Sequence, residues 1–132
     1  MAEACQIARY AELAANRRHF ESLFIAVVAF TLIYALLLGC ALNWLVPQLP
    51  PVPLMAAGAT LIFGAFVAQR LLLRARSCFE AMRSCWSGIS GEPQGSASIS
   101  NKPGAMALVL GGIYSLGIGG VLYGLWLMFI AR

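Results

Sequence analysis

Four thiols, one imidazole and five carboxylates are the reactive groups in this chain. They are Cys5, Cys40, Cys78 and Cys85, then His19, then Glu3, Glu12, Glu21, Glu80 and Glu92; there is no Asp. General acid–base work needs two titratable groups whose environments pull their pKa values apart, and no paired carboxylates are visible. Structural zinc asks for one close pair of Cys or His ligands and a second pair to complete the tetrahedron. Cys78 and Cys85 are seven residues apart, on one face of a helix, and a single straight helix cannot bring them within disulfide range. No Ser–His or Cys–His spacing supports an activated nucleophile. The expectation is therefore a non-enzymatic protein with no catalytic, cofactor-binding or metal-ligating residues, its thiols free on a reducing side.

The elements that position these groups are dominated by Leu23 to Val46, LFIAVVAFTLIYALLLGCALNWLV, which carries no charge. A helix of roughly 20 apolar residues crosses a ~30 Å hydrocarbon core, and a helix apolar on every side has no solvent face. The run is too long for a signal peptide, so it is expected to stay in the mature protein. Composition agrees: 61% of the 132 residues are hydrophobic and 11% charged, against about 25% charged in a soluble domain. The net charge of +4 points to anionic lipid headgroups. Because the basic residues flank apolar runs, nucleic acid is not expected as a partner.

Residues 2–20 are rich in Ala, Glu, Leu and Arg, good helix formers, and no Pro or Gly interrupts the chain from Ala2 to Leu38. This predicts a helix over 2–20 that continues into a first span at about 21–46, with Arg17 and Arg18 at the near boundary and Trp44 at the far one. Four prolines in Pro47–Pro53 predict an irregular turn over 47–53. A second span follows at about 54–73 and continues as a polar-flanked helix over 70–87. Arg70, Arg74 and Arg76 mark its return to water, Arg76 lying four residues before Glu80. Residues 88–104, GISGEPQGSASISNKPG, read as a flexible linker, and 105–132 as a third span ending near Trp126.

The predicted fold class is an all-α membrane protein of three transmembrane helices, the first two forming a long helical hairpin with cytoplasmic extensions. Small residues spaced by four let helix backbones approach closely in lipid. Such stripes are Thr31, Ala35 and Gly39 in the first span, and Ala56, Thr60, Gly64 and Ala68 in the second. In the third they are Gly111, Ser115 and Gly119, with Gly120 and Gly124 as a GxxxG pair. These are the predicted helix-packing residues, and they predict a homo-oligomer or a subunit of a membrane complex. In the two soluble extensions, Phe79, Met82 and Trp86 are expected to pack against Ile7 and Tyr10.

The junctions carry a resemblance. Arg17-Arg18-His19-Phe20-Glu21-Ser22-Leu23-Phe24 leads into the first span, and Gln69-Arg70-Leu71-Leu72-Leu73-Arg74-Ala75-Arg76 leads out of the second. Over residues 6–86 this resembles the RipA-like small bacterial inner-membrane proteins. Arg17, Arg18, Phe24, Arg70, Leu72, Ala75 and Arg76 fit that pattern, while Ser22, Gln69, Leu73 and Ser77 depart from it. The resemblance implies assembly and an inner-membrane address. The two-span layout is also similar to SLATT-type effectors, which implies a membrane-disrupting or pore-forming alternative.

Eight of the nine Lys and Arg residues fall on one side of the predicted spans. By the positive-inside bias, the N-terminus is expected in the cytoplasm and the C-terminus outside the inner membrane. A reporter fused after Arg132 is accordingly expected to be active outside the membrane, and one inserted at Gly95 inside it. Cytoplasmic activity from both fusions would remove the third span.

Overall fold

Proline punctuates this chain, and the second and third helices begin at one. The structure, a computed structural model, describes residues 2–49, 51–90 and 103–130. Helix α1 runs over Ala2–Leu45, α2 over Pro51–Ser90 and α3 over Pro103–Ile130. Each carries a stretch long and apolar enough to cross a membrane. The chain is an all-α, multi-pass membrane protein.

The turn is shorter than the 47–53 expected from its prolines. Val46 N–H still donates to Leu42 O, and Leu49 N–H then closes a turn on Val46 O at 3.2 Å around Pro47 and Gln48. Proline is favoured at the second position of such a turn. Pro51 and Pro53 belong to the first turn of α2, where backbone N–H groups have no partner within the helix, so their absence costs nothing there. Pro103 opens α3 in the same way. At the other end of α2, residues 88–90 are helical rather than linker. Most of the expected linker, 91–102, and the last two residues of the third span, 131–132, lie outside the described residues.

The chain divides into two compact units: Met1–Phe24 with Arg70–Lys102, and Ile25–Gln69 with Pro103–Arg132. Charge divides at the same places. Among the described residues, every Arg and Glu, and His19, belongs to the first unit, and the second carries none. This second unit, uncharged over its described residues, turns large apolar side chains outward: Phe30, Phe63 and Leu108 are 69%, 70% and 79% exposed. That pattern suits lipid and no other solvent.

Within the first unit α1 and α2 follow one rule. Buried and half-buried positions recur at alternating steps of three and four: Tyr10, Ala14, Arg17, Glu21 and Phe24 on α1, and Leu72, Ala75, Phe79 and Met82 on α2. This is the 3.5-residue repeat of helices packing at a shallow left-handed angle. Tyr10 lies against Trp86 with ring centroids 5.7 Å apart. The guanidinium of Arg17 lies over the Phe79 ring, 4.7 Å from its centroid, and its Nε donates to Glu21 at 2.7 Å. Ile7 is not part of this core: it is 58% exposed. At this end of the pair α2 carries Gly88, where an added Cβ would stand 3.9 Å from Gln6 Nε2.

Phe79 is 7% exposed and Trp86 41%, so the smaller ring matters more. Phe79→Ala removes a core ring and the seat of Arg17 together. It is expected to cost about 2–4 kcal/mol, the lower part of the range for a buried Phe, with Trp86→Ala costing less. Limited proteolysis of the full chain in detergent checks this. Equal protection of residues 2–20 in both variants would contradict the packing.

Candidate functional site

The candidate site is the set of close helix contacts inside the uncharged unit, because no reactive cluster competes with it. Among the described residues no three His, Cys, Asp or Glu side chains come together, and the four cysteines are free thiols.

The closest approach joins α2 and α3. A Cβ built on Gly58 would stand 2.7 Å from the carbonyl oxygen of Gly117, and one built on Gly117 would stand 2.9 Å from that of Gly58. Neither position admits a side chain, because the obstacle on each side is backbone. The seam continues toward the turn. A Cβ on Gly120 would lie 3.6 Å from Leu54 O, and one on Gly124 would meet Met55 Cγ at 2.5 Å and Pro51 O at 3.2 Å. At the other end the Tyr114 hydroxyl donates to Gln69 Oε1 at 2.9 Å. Gln69, next to Arg70, thus ties α2 to α3.

Between α1 and α2 the contact is a knob in a gap. Thr31 is buried, 6% exposed, and its side chain fills the volume that a Cβ on Gly64 would occupy. Its hydroxyl donates to Val27 O at 2.7 Å, so the polar group is satisfied within its own helix, while its methyl and its oxygen both lie against Gly64. Thr60 does the same toward Ala56 O at 2.9 Å.

The structure thus brings together Thr31 with Gly64, buries Ala35 and Ala68, and half-buries Ala56 and Thr60. Gly39 makes ordinary contact, a Cβ there standing 3.6 Å from Ala57 Cβ. Gly120 and Gly124 face α2, but Gly111 and Gly119 have no atom within 4 Å of an added Cβ, and Ser115 is exposed. The two small-residue stripes of α3 therefore do different things: one packs within the chain and one stays bare.

Gly58 and Gly117 are the packing residues that a search at steps of four passes over. Leu110, Ile113, Gly117, Gly120 and Gly124 alternate three and four, and so do Leu54, Gly58, Leu61, Ala65 and Ala68. A heptad reading of the uncharged runs finds both seams.

At the boundary, Arg17 and Arg76 are half-buried, and Arg18, Arg70, Arg74, Trp44 and Trp126 are exposed. Trp126 stacks on Tyr123, centroids 5.7 Å apart. The expected Arg76–Glu80 pair does not form: Arg76 Nε is buried without a hydrogen-bond partner, and Glu80 is exposed. Compared with known protein families, curated proteins and solved structures, the chain matches none.

Two Gly→Ala changes isolate the seam. Gly58→Ala must push α2 and α3 apart and is expected to destabilise by about 1–3 kcal/mol, the usual cost of overpacking. Gly112→Ala, with open space around it, is expected to be neutral or stabilising, because Ala is the better helix former. Thermal aggregation temperatures in one detergent check the pair. Equal values would contradict the close approach.

Proposed function

We propose that this chain is a non-enzymatic scaffold of a bacterial inner membrane that assembles with copies of itself. Its N-terminus lies in the cytoplasm and its basic residues sit against anionic headgroups. The observation that carries the reading is the bare stripe of α3. Gly111, Ser115 and Gly119 lie along one helix face, and a Cβ built on either glycine would meet no other part of the chain within 4 Å. Glycine costs a helix about 1 kcal/mol relative to Ala in water. In a membrane its use is to admit a second backbone. On the opposite side of the same helix, glycines at Gly117, Gly120 and Gly124 admit α2 in that way.

The charge distribution supports the address. With no acid or base among the described residues of the uncharged unit, there is no proton relay or ion-coupling group at membrane depth, where a transporter keeps one. The first unit carries the arginines that the cytoplasmic leaflet attracts, at roughly 1 kcal/mol per basic residue near the surface.

Gly119→Leu fills the bare groove without touching the seam to α2. Subunit counting and conductance on the same purified sample test the reading. The expected result is a defined oligomer without current in the parent, and smaller species with unchanged helix content in Gly119→Leu. Current from the parent would favour a pore-forming effector, and a monomeric parent would end the assembly reading.

A further inference from the structure

The α1–α2 seam of the first unit has two edges, and only one of them is charged. On the 3.5-residue repeat, Tyr10 and Arg17 of α1 and Ala75 and Met82 of α2 take the d positions. The residues that follow them stand at e, and the residues before the other core positions stand at g. In an antiparallel pair the e positions of both helices border one side of the seam, and the g positions border the other. Within the first unit the e edge carries Arg18 on α1, Arg76 and Arg83 on α2, and no carboxylate. The g edge carries residues such as Phe20, Cys78 and Cys85, and no charge. Helix pairs commonly set opposite charges across such an edge. This edge sets like charges across it.

Depth singles out two of the three arginines. Tyr10 meets Trp86 and Arg17 meets Phe79, so Arg76 stands level with Phe20, close to Arg18. The uncharged run opens at Leu23. At 1.5 Å per residue Arg76 lies ~4–5 Å outside it and Arg18 ~7–8 Å. Headgroups add roughly 5–7 Å to each side of the hydrocarbon, so both positions fall at headgroup depth. Among the described residues neither arginine makes a hydrogen bond or an ion pair. Arg76 is half-buried, and its Nε is buried without an acceptor. The nearby carboxylates do not supply one: Glu21 accepts from Arg17, and Glu80 is exposed.

We propose that this edge of the seam binds the phosphate of an anionic phospholipid, held between Arg18 and Arg76. A guanidinium is a planar fork of donors that matches phosphate oxygens. Two such forks of like charge, facing one another across a seam, are complemented by an anion between them. The lipid carries no headgroup amine, because the edge has no carboxylate to receive an ammonium. The inference rests on the headgroup reading above and turns a diffuse attraction into one site per chain.

The test uses the full chain in mixed micelles of phosphatidylglycerol and phosphatidylcholine, with retained lipids counted by native mass spectrometry. One phosphatidylglycerol per chain is expected, at saturation. Arg76→Lys and Arg18→Lys keep the charge and remove the fork. Each is expected to weaken retention about tenfold, the worth of one hydrogen bond to a charged group. Arg74→Lys, away from this edge, is expected to bind like the parent. Inorganic phosphate at the same concentration as the lipid is expected not to displace it.

If Arg76→Lys and Arg18→Lys retain the lipid like the parent, the attraction is diffuse; this inference fails and the headgroup reading stands. Displacement by inorganic phosphate would overturn the lipid as the source of the anion. A parent that retains phosphatidylglycerol no better than phosphatidylcholine overturns this inference and the headgroup reading together.

Discussion

The backbones of α2 and α3 touch at Gly58 and Gly117, and the arrangement of the uncharged unit follows from that contact. In water, burying apolar surface would draw helices together wherever a stripe was apolar enough. In hydrocarbon that force is absent, since a lipid tail is as apolar as a leucine, and helix pairs are held by contact itself. Each atom pair contributes only ~0.1–0.2 kcal/mol and loses much of that within an ångström. Two helices therefore gain from meeting only where their backbones come very close. Gly58 and Gly117 each stand where a Cβ would strike the other's carbonyl, so they set the distance at which Leu54, Met55 and Ile62 meet α3. Thr31 and Gly64 do the same for α1 and α2, one side chain filling the space that the other lacks.

The second constraint is that hydrocarbon satisfies no polar group. The uncharged unit meets it by having few such groups and by bonding two of them, Thr31 and Thr60, to their own backbones. Thr31 and Thr60 need no partner from a neighbouring helix for their protons, because these are donated to Val27 O and Ala56 O. Tyr114 and Gln69 satisfy one another between helices. The charged unit works by other means. Its core is aromatic and aliphatic, with Phe24, Phe79 and Met82 buried, and Arg17 contributes its flat guanidinium to the packing while its charge is held by Glu21. The change from one regime to the other falls where the charges stop, after Phe24 on α1 and before Arg70 on α2.

How much of this is legible in the sequence depends on which constraint wrote the residues. Membrane depth writes itself in composition, so three spans and the unbroken α1 can be read from runs without charge or proline. The turn is read too long, because four prolines in seven residues look like a broken chain until Pro51 and Pro53 are placed where a helix needs no N–H. Packing is read less completely. Steps of four find Thr31, Gly64, Gly120 and Gly124, but a helix pair at a shallow angle alternates three and four, and that alternation selects Gly58 and Gly117. Spacing alone does not say which stripe faces inward: Gly111 and Gly119 are as regular as Gly120 and Gly124, and stay bare. Nor does it fix ion pairs. Arg17 finds Glu21, whereas Arg76, at the same spacing from Glu80, has its Nε buried without a partner.

The central claim is that α3 is packed on α2 of the same chain through its Gly117–Gly120–Gly124 face. Cysteine pairing in intact membranes tests it most directly, on a chain whose four native cysteines are replaced. Met55→Cys with Gly124→Cys joins positions in side-chain contact, and Met55→Cys with Gly119→Cys joins the same point of α2 to the bare face of α3. The expected result is an intrachain disulfide at monomer mass for the first pair and reduced thiols for the second. Oxidation of the second pair with the first left reduced would contradict it.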